Sequence, residues 1–81
     1  MNTHDARLAV AEALVEIVPD ANVDAIPDGA RLRDELELDS LDFLTFVELL
    51  SSGAHVRIDE MDYPRLATLD SSVAFVVERS A

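Results

Sequence analysis

The chain has 81 residues, 49% of them hydrophobic, and its 17 acidic and 6 basic residues give a net charge of −11. One small domain over residues 1–81 fits that length, and the hydrophobic content is too high for a disordered tail. The charge repels nucleic-acid phosphates and anionic lipid and attracts partners with basic patches, while the absence of cysteine and the presence of only His4 and His55 rule against disulfides and zinc cages.

Residues 5–18 read as the first helix. Val10, Ala13, Leu14, Ile17 and Val18 recur at three- and four-residue steps, with Thr3 or Asp5 as the cap and Pro19 as the stop. The opening residues lack a basic stretch followed by an apolar core, so they do not read as a signal peptide. No apolar run approaches the ~18 residues of a membrane span. The expectation is a soluble, cytoplasmic protein without membrane insertion.

Residues 19–39 read as a long connection with turn formers at Pro19, Asp20, Pro27, Asp28 and Gly29. Its apolar side chains Val23, Ile26, Leu32, Leu36 and Leu38 suggest a loop pinned to a core, and connections of this length are often functional. Asp20, Asn22 and Asp24 open like a calcium loop. Ala25 stands where that loop needs Gly, and Arg31 where it needs a bidentate Glu, so a calcium site is not expected.

Residues 40–51 read as the second helix, with Asp39 as N-cap and Gly53 as the stop. At about 100° per residue, Phe43, Phe46, Val47 and Leu50 form one apolar arc. Leu41 and Leu44 fall outside it, beside Thr45 and Glu48. Either the first loop covers these leucines or they form an exposed partner patch next to Ser40. An extended piece follows at His55–Ile58, then one helical turn before Pro64. The last helix covers 69–79, with Leu69, Val73, Val76 and Val77 at helical spacing and Thr68 as cap. The fold class is therefore all-α: a bundle of three main helices and one short one, with a long first loop.

Ser40 lies between Asp39 and Asp42 at a helix start, where serine usually does no more than satisfy N–H groups. A serine nucleophile needs a base within hydrogen-bond reach. Neither His4 nor His55 has an obvious route to Ser40, and with only Gly29 and Gly53 there is no Gly-rich oxyanion or phosphate loop. The chain is not expected to be an enzyme, and no metal site is expected.

The stretch "LRDELELDSLDFLTFVELL" resembles the modification site of acyl carrier proteins, in which Asp-Ser-Leu opens the second helix. "IDEMDYPRLATLDSSVAFV" is similar to that family's short third helix, Thr-containing turn and last helix. The resemblance covers nearly the whole chain and implies an acyl-carrier-like bundle. It implies that Ser40 receives 4′-phosphopantetheine from coenzyme A through a separate Mg²⁺-dependent phosphopantetheinyl transferase, with Asp39 orienting the serine. The arm's thiol would then carry acyl groups as thioesters, which explains a chain without cysteine.

The same resemblance assigns Leu41, Asp42, Leu44, Thr45 and Glu48 to the partner-facing surface, and so favours exposure of the two leucines. Phe46, Val47 and Leu50 would line an interior that shelters an acyl chain in some carriers. The implied function is that of a free-standing, monomeric carrier for fatty-acid, polyketide or related specialised lipid synthesis. Its partners would be acyltransferase, acyl ligase or ketosynthase enzymes.

The chain departs from the family pattern at Glu37, often Gly, at Ser51-Ser52-Gly53, commonly acidic, at Ala54, where a large apolar residue is expected, and at Asp59, often Pro. The lost acidic charge implies a specialised carrier more readily than a housekeeping one. The alternatives are an aminoacyl or peptidyl carrier, or a carrier-like interaction module without a prosthetic group.

Overall fold

The computed structural model describes residues 1–80. The first helix, α1, spans Thr3–Ile17. Its cap is Asn2 rather than Thr3 or Asp5: the Asn2 side-chain oxygen accepts from the Asp5 N–H at 2.7 Å. An Asn there satisfies an orphan donor of the first turn, and Asp5 then sits where a negative charge suits the helix dipole. Ala6, Val10, Ala13 and Leu14 bury the inner face. Ala6 extends the stripe one turn earlier than the larger residues revealed. Pro19 follows just past the C-cap at Val18.

The connection after α1 is pinned down, as its apolar residues suggested. Val23, Ile26, Leu32 and Leu38 are buried, and Leu36 packs against the same core. It also holds two short elements where the sequence reads only as a connection: a 3₁₀ turn at Val23–Ala25 and a one-turn helix, α2, at Leu32–Glu35. Neither is long enough to show a periodicity of its own. Backbone bonds fix α2 from outside. The Leu32 N–H donates to the Ala67 carbonyl at 2.9 Å, and Arg31 pairs with Thr68 in an isolated antiparallel bridge.

The chain leaves α2 through Glu37, whose φ of 53° lies in the left-handed region. The Leu38 N–H then reaches back to the Arg33 carbonyl at 2.9 Å, a helix-ending turn of Schellman type. That reversal aims the chain into α3, Ser40–Ala54. Phe46, Val47, Leu50 and Ala54 are its buried face, and Phe43 is half-buried at the edge.

Gly53 does not end this helix. The helix runs through it to Ala54, and His55 makes the left-handed turn with φ 55°. Burial of Ala54 and Val56 draws the chain past the glycine. His55, expected to open an extended piece running to Ile58, is thus left-handed instead, and residues 56–59, in neither helix nor strand, lead into a 3₁₀ helix at Glu60–Leu66. This helix continues through Pro64 instead of stopping before it, because the fixed φ of proline matches 3₁₀ geometry. The last helix, α4, spans Leu69–Arg79 with Thr68 as cap, as expected. Phe75, outside the apolar set read from the sequence, is buried there under the guanidinium groups of Arg65 and Arg79.

α1 packs against both α3 and α4, and α4 carries the 3₁₀ helix. The result is the expected all-helical bundle around one core, with no strand among the described residues. No helix among those residues is long and apolar enough to cross a membrane.

Candidate functional site

Ser40 is the first residue of α3 and is exposed. Capping is done by its neighbours. The Asp42 N–H donates to Asp39 Oδ1 at 2.8 Å, and the Asp39 N–H donates to Asp42 Oδ2 at 3.3 Å, forming a reciprocal capping box. The serine hydroxyl is therefore not consumed in starting the helix. Its side-chain partner is Arg33, whose Nη2 donates to Ser40 Oγ at 3.4 Å. The same guanidinium donates through Nε to the Leu38 carbonyl at 3.4 Å and lies over the Phe43 ring, 5.8 Å from its centroid.

The two leucines left open by the helical wheel are uncovered: Leu41 is 74% exposed and Leu44 42%. The first loop buries its own Leu38 and leaves Leu41 and Leu44 exposed. Thr45 and Glu48 are exposed on the same stretch of helix, and Thr45 Oγ1 donates back to the Leu41 carbonyl at 3.0 Å. Asp42 is half-buried and tied into the cap. The residues named from the sequence thus lie together at the N-cap and on the first two and a half turns of α3.

A groove of ≈ 440 Å³ opens beside Ser40, lined by Arg33, Ser40, Phe43, Leu44, Tyr63, Pro64 and Ala67. Phe43 and Tyr63 meet edge-to-face in its wall, with centroids 5.6 Å apart and planes at 77°. Met61, on the 3₁₀ helix that supplies Tyr63 and Pro64, is 84% exposed.

Arg33 and Tyr63 were not among the residues singled out from the sequence. Arg33 reaches Ser40 only because α2 and the left-handed turn at Glu37 fold seven residues back on themselves. Its one sequence signal is that it is one of six basic residues in an acidic chain and stands close before the motif.

The chain matches no protein-family model and no curated protein. What the arrangement can do is therefore argued from its chemistry. His55 lies at the far end of α3, about 20 Å from Ser40 at 1.5 Å rise per residue. Asp39 and Asp42 hold backbone N–H groups, and Arg33 is a permanent cation that cannot accept a proton. Ser40 is accessible and oriented but has no general base at its hydroxyl. Among the described residues, no group of three or more His, Asp or Glu side chains forms a metal cage. In the calcium-like series, Asp24 faces Arg7 at 3.4 Å.

Proposed function

We propose that this chain is an acyl carrier protein in which Ser40 bears a 4′-phosphopantetheine arm taken from coenzyme A. The state of Ser40 carries this reading. Its hydroxyl is exposed at the head of a capped helix, spared from the cap, and without a base of its own. Such a group suits modification by a separate enzyme better than catalysis in place. Ser40 Oγ would attack a phosphorus of coenzyme A. A new P–O bond to serine forms as the pyrophosphate bond breaks, adenosine 3′,5′-bisphosphate departs, and the serine proton passes to a base on the Mg²⁺-dependent transferase.

The residues present fit the group. The groove at Ser40 offers an apolar bed walled by Phe43, Leu44, Tyr63 and Pro64. Once attached, the arm supplies the thiol that the chain lacks and holds acyl groups as thioesters. Leu41, Leu44, Thr45 and Glu48 then form the partner face, and the −11 charge steers enzymes with basic patches toward it.

The departure at Glu37 also supports the reading. The residue stands where the family often has Gly, and its φ of 53° is a backbone state that glycine adopts without a Cβ clash. The neutral Ser51 and Ser52 favour a specialised lipid or polyketide pathway, with acyltransferase, acyl ligase or ketosynthase partners. The carrier would act as a cytoplasmic monomer.

The test is modification in vitro. The purified chain is incubated with a broad-specificity phosphopantetheinyl transferase, Mg²⁺ and coenzyme A, and its intact mass is recorded. The wild type should gain the mass of one phosphopantetheinyl group and Ser40→Ala none. An unmodified wild type would falsify the carrier role and leave an interaction module. A gain in Ser40→Ala would move the attachment site.

A further inference from the structure

We propose that Arg33 anchors the phosphodiester through which Ser40 holds its arm, so that modification turns a weak contact into a charge-assisted pair. This rests on the carrier reading above. The six basic residues are all arginine. Four of them, Arg7, Arg57, Arg65 and Arg79, face carboxylates at 3.4, 3.1, 2.8 and 3.0 Å. In a chain with 17 acidic residues, Arg31 and Arg33 are the two without an ion pair among the described residues. Asp34 shares a hollow with both and forms no ion pair with either. Arg33 instead turns its Nη2 to a neutral hydroxyl.

The guanidinium is already oriented for an anion at that place. Its Nε is turned to the Leu38 carbonyl and its plane lies near the Phe43 ring, so the Nη edge faces Ser40 Oγ. At 3.4 Å the contact to Oγ is long for a hydrogen bond. A phosphoryl group on Oγ would set its non-bridging oxygens two bonds beyond, with a negative charge shared between them. The planar guanidinium fork matches such oxygens, and charge-assisted bonds of this kind are shorter and about twice as strong as neutral ones. The anchor would also hold the first atoms of the arm at the mouth of the groove, which Arg33 and Ser40 both line.

A purely structural Arg33, serving only the α2–α3 turn, would matter equally before and after modification. The anchor matters only after. Apo and fully modified forms of the wild type, Arg33→Gln and Arg33→Lys are compared by thermal unfolding, with modification checked by intact mass. The ³¹P resonance and the Arg33 Nε–Hε resonance are recorded in parallel. The rise in Tm on modification should be larger in the wild type than in Arg33→Gln by about 2–4 °C, as for a surface ion pair in a domain of this size.

Arg33→Lys should keep part of that difference. In 1 M NaCl it should shrink, since screening acts there over about 3 Å. The wild-type Nε–Hε resonance should move on modification, and the ³¹P resonance should differ between modified wild type and Arg33→Gln. Complete modification with equal Tm increments and unmoved resonances overturns the anchor and leaves the carrier role standing. Absence of any mass gain overturns both. Should Arg33→Gln fail to fold, the wild-type resonances and the Lys variant decide.

Discussion

Among the described residues, two hold left-handed backbone without being glycine, Glu37 and His55, while neither Gly29 nor Gly53 has a positive φ. A side chain in that region costs roughly 1–2 kcal/mol through the clash of Cβ with the following carbonyl. Gly53 meanwhile sits inside α3, where its extra unfolded-state entropy costs about 0.5–1 kcal/mol relative to Ala. A Cβ at Gly53 would meet nothing within 4 Å. The helix end is thus written two residues away from its glycine, which explains why the sequence pointed to the wrong stop. Gly53→Ala should stabilise the protein by about 0.5–1 kcal/mol, and His55→Gly by a similar amount. Each corresponds to a Tm increase of several degrees in a chain this short, roughly 4–8 °C per kcal/mol. Calorimetry of the two variants checks this. Destabilisation by Gly53→Ala would mean that α3 needs a flexible last turn.

At the scale of elements, α3 has one buried and one exposed apolar face, and one helix can test what each does. Leu50 is fully buried, whereas Leu44 is 42% exposed on the face that carries Leu41 and Ser40. Leu50→Ala should cost about 2–5 kcal/mol through lost burial and the cavity left behind, enough to unfold much of a small domain. Leu44→Glu should stay within about 0.5 kcal/mol of the wild type, with its far-UV circular dichroism retained, while the acyl transfer that the proposed carrier role requires falls. Loss of helicity in Leu44→Glu would place Leu44 in the core instead.

The core face of α3 was legible because Phe46, Val47 and Leu50 repeat at helical period. The N-terminal cap was legible because Asp39 and Asp42 act within one turn. Both are local. The wheel could not decide whether Leu41 and Leu44 were covered, since that depends on where a loop of twenty-one residues lands. α2 stayed hidden because four residues carry no period and its position is set by backbone bonds to Ala67 and Thr68. Arg33 stayed hidden with it, so the half of the site that comes from Asp39–Glu48 could be read in advance and the half that comes from α2 and the 3₁₀ helix could not.

For the whole molecule the governing quantity is a charge of −11 on an 81-residue globule. Self-repulsion of this size weakens the compact state, and the ion pairs of Arg7, Arg57 and Arg65 lie on the surface, where each contributes about 0–1 kcal/mol. Raising NaCl from low concentration to about 0.5 M should therefore raise Tm, because screening relieves net repulsion more than it weakens a few pairs.

One carboxylate works against this trend. Asp62 Oδ2 accepts from the Asp59 N–H at 2.9 Å, and Oδ1 from Arg79 Nη2 at 3.0 Å. The backbone donor first, then Arg79 and Arg65, hold its pKa below the ordinary carboxylate value against the opposing effect of burial. A depressed folded pKa means that this group stabilises the fold above its unfolded value, near 3.9, and ceases to do so as pH falls through the lower folded value. Asp62 also ties the 3₁₀ helix to α4 through Arg79, which in turn donates to the Arg57 carbonyl at 3.2 Å. Urea unfolding of the wild type and Asp62→Asn should show a clear gap in midpoint at pH 7. The gap should persist to about pH 5 and narrow below about pH 4, as the wild-type carboxylate takes up its proton. A gap that stays constant from pH 7 to 3 would mean that Asp62 acts through shape and hydrogen bonding alone, with its charge irrelevant to the junction.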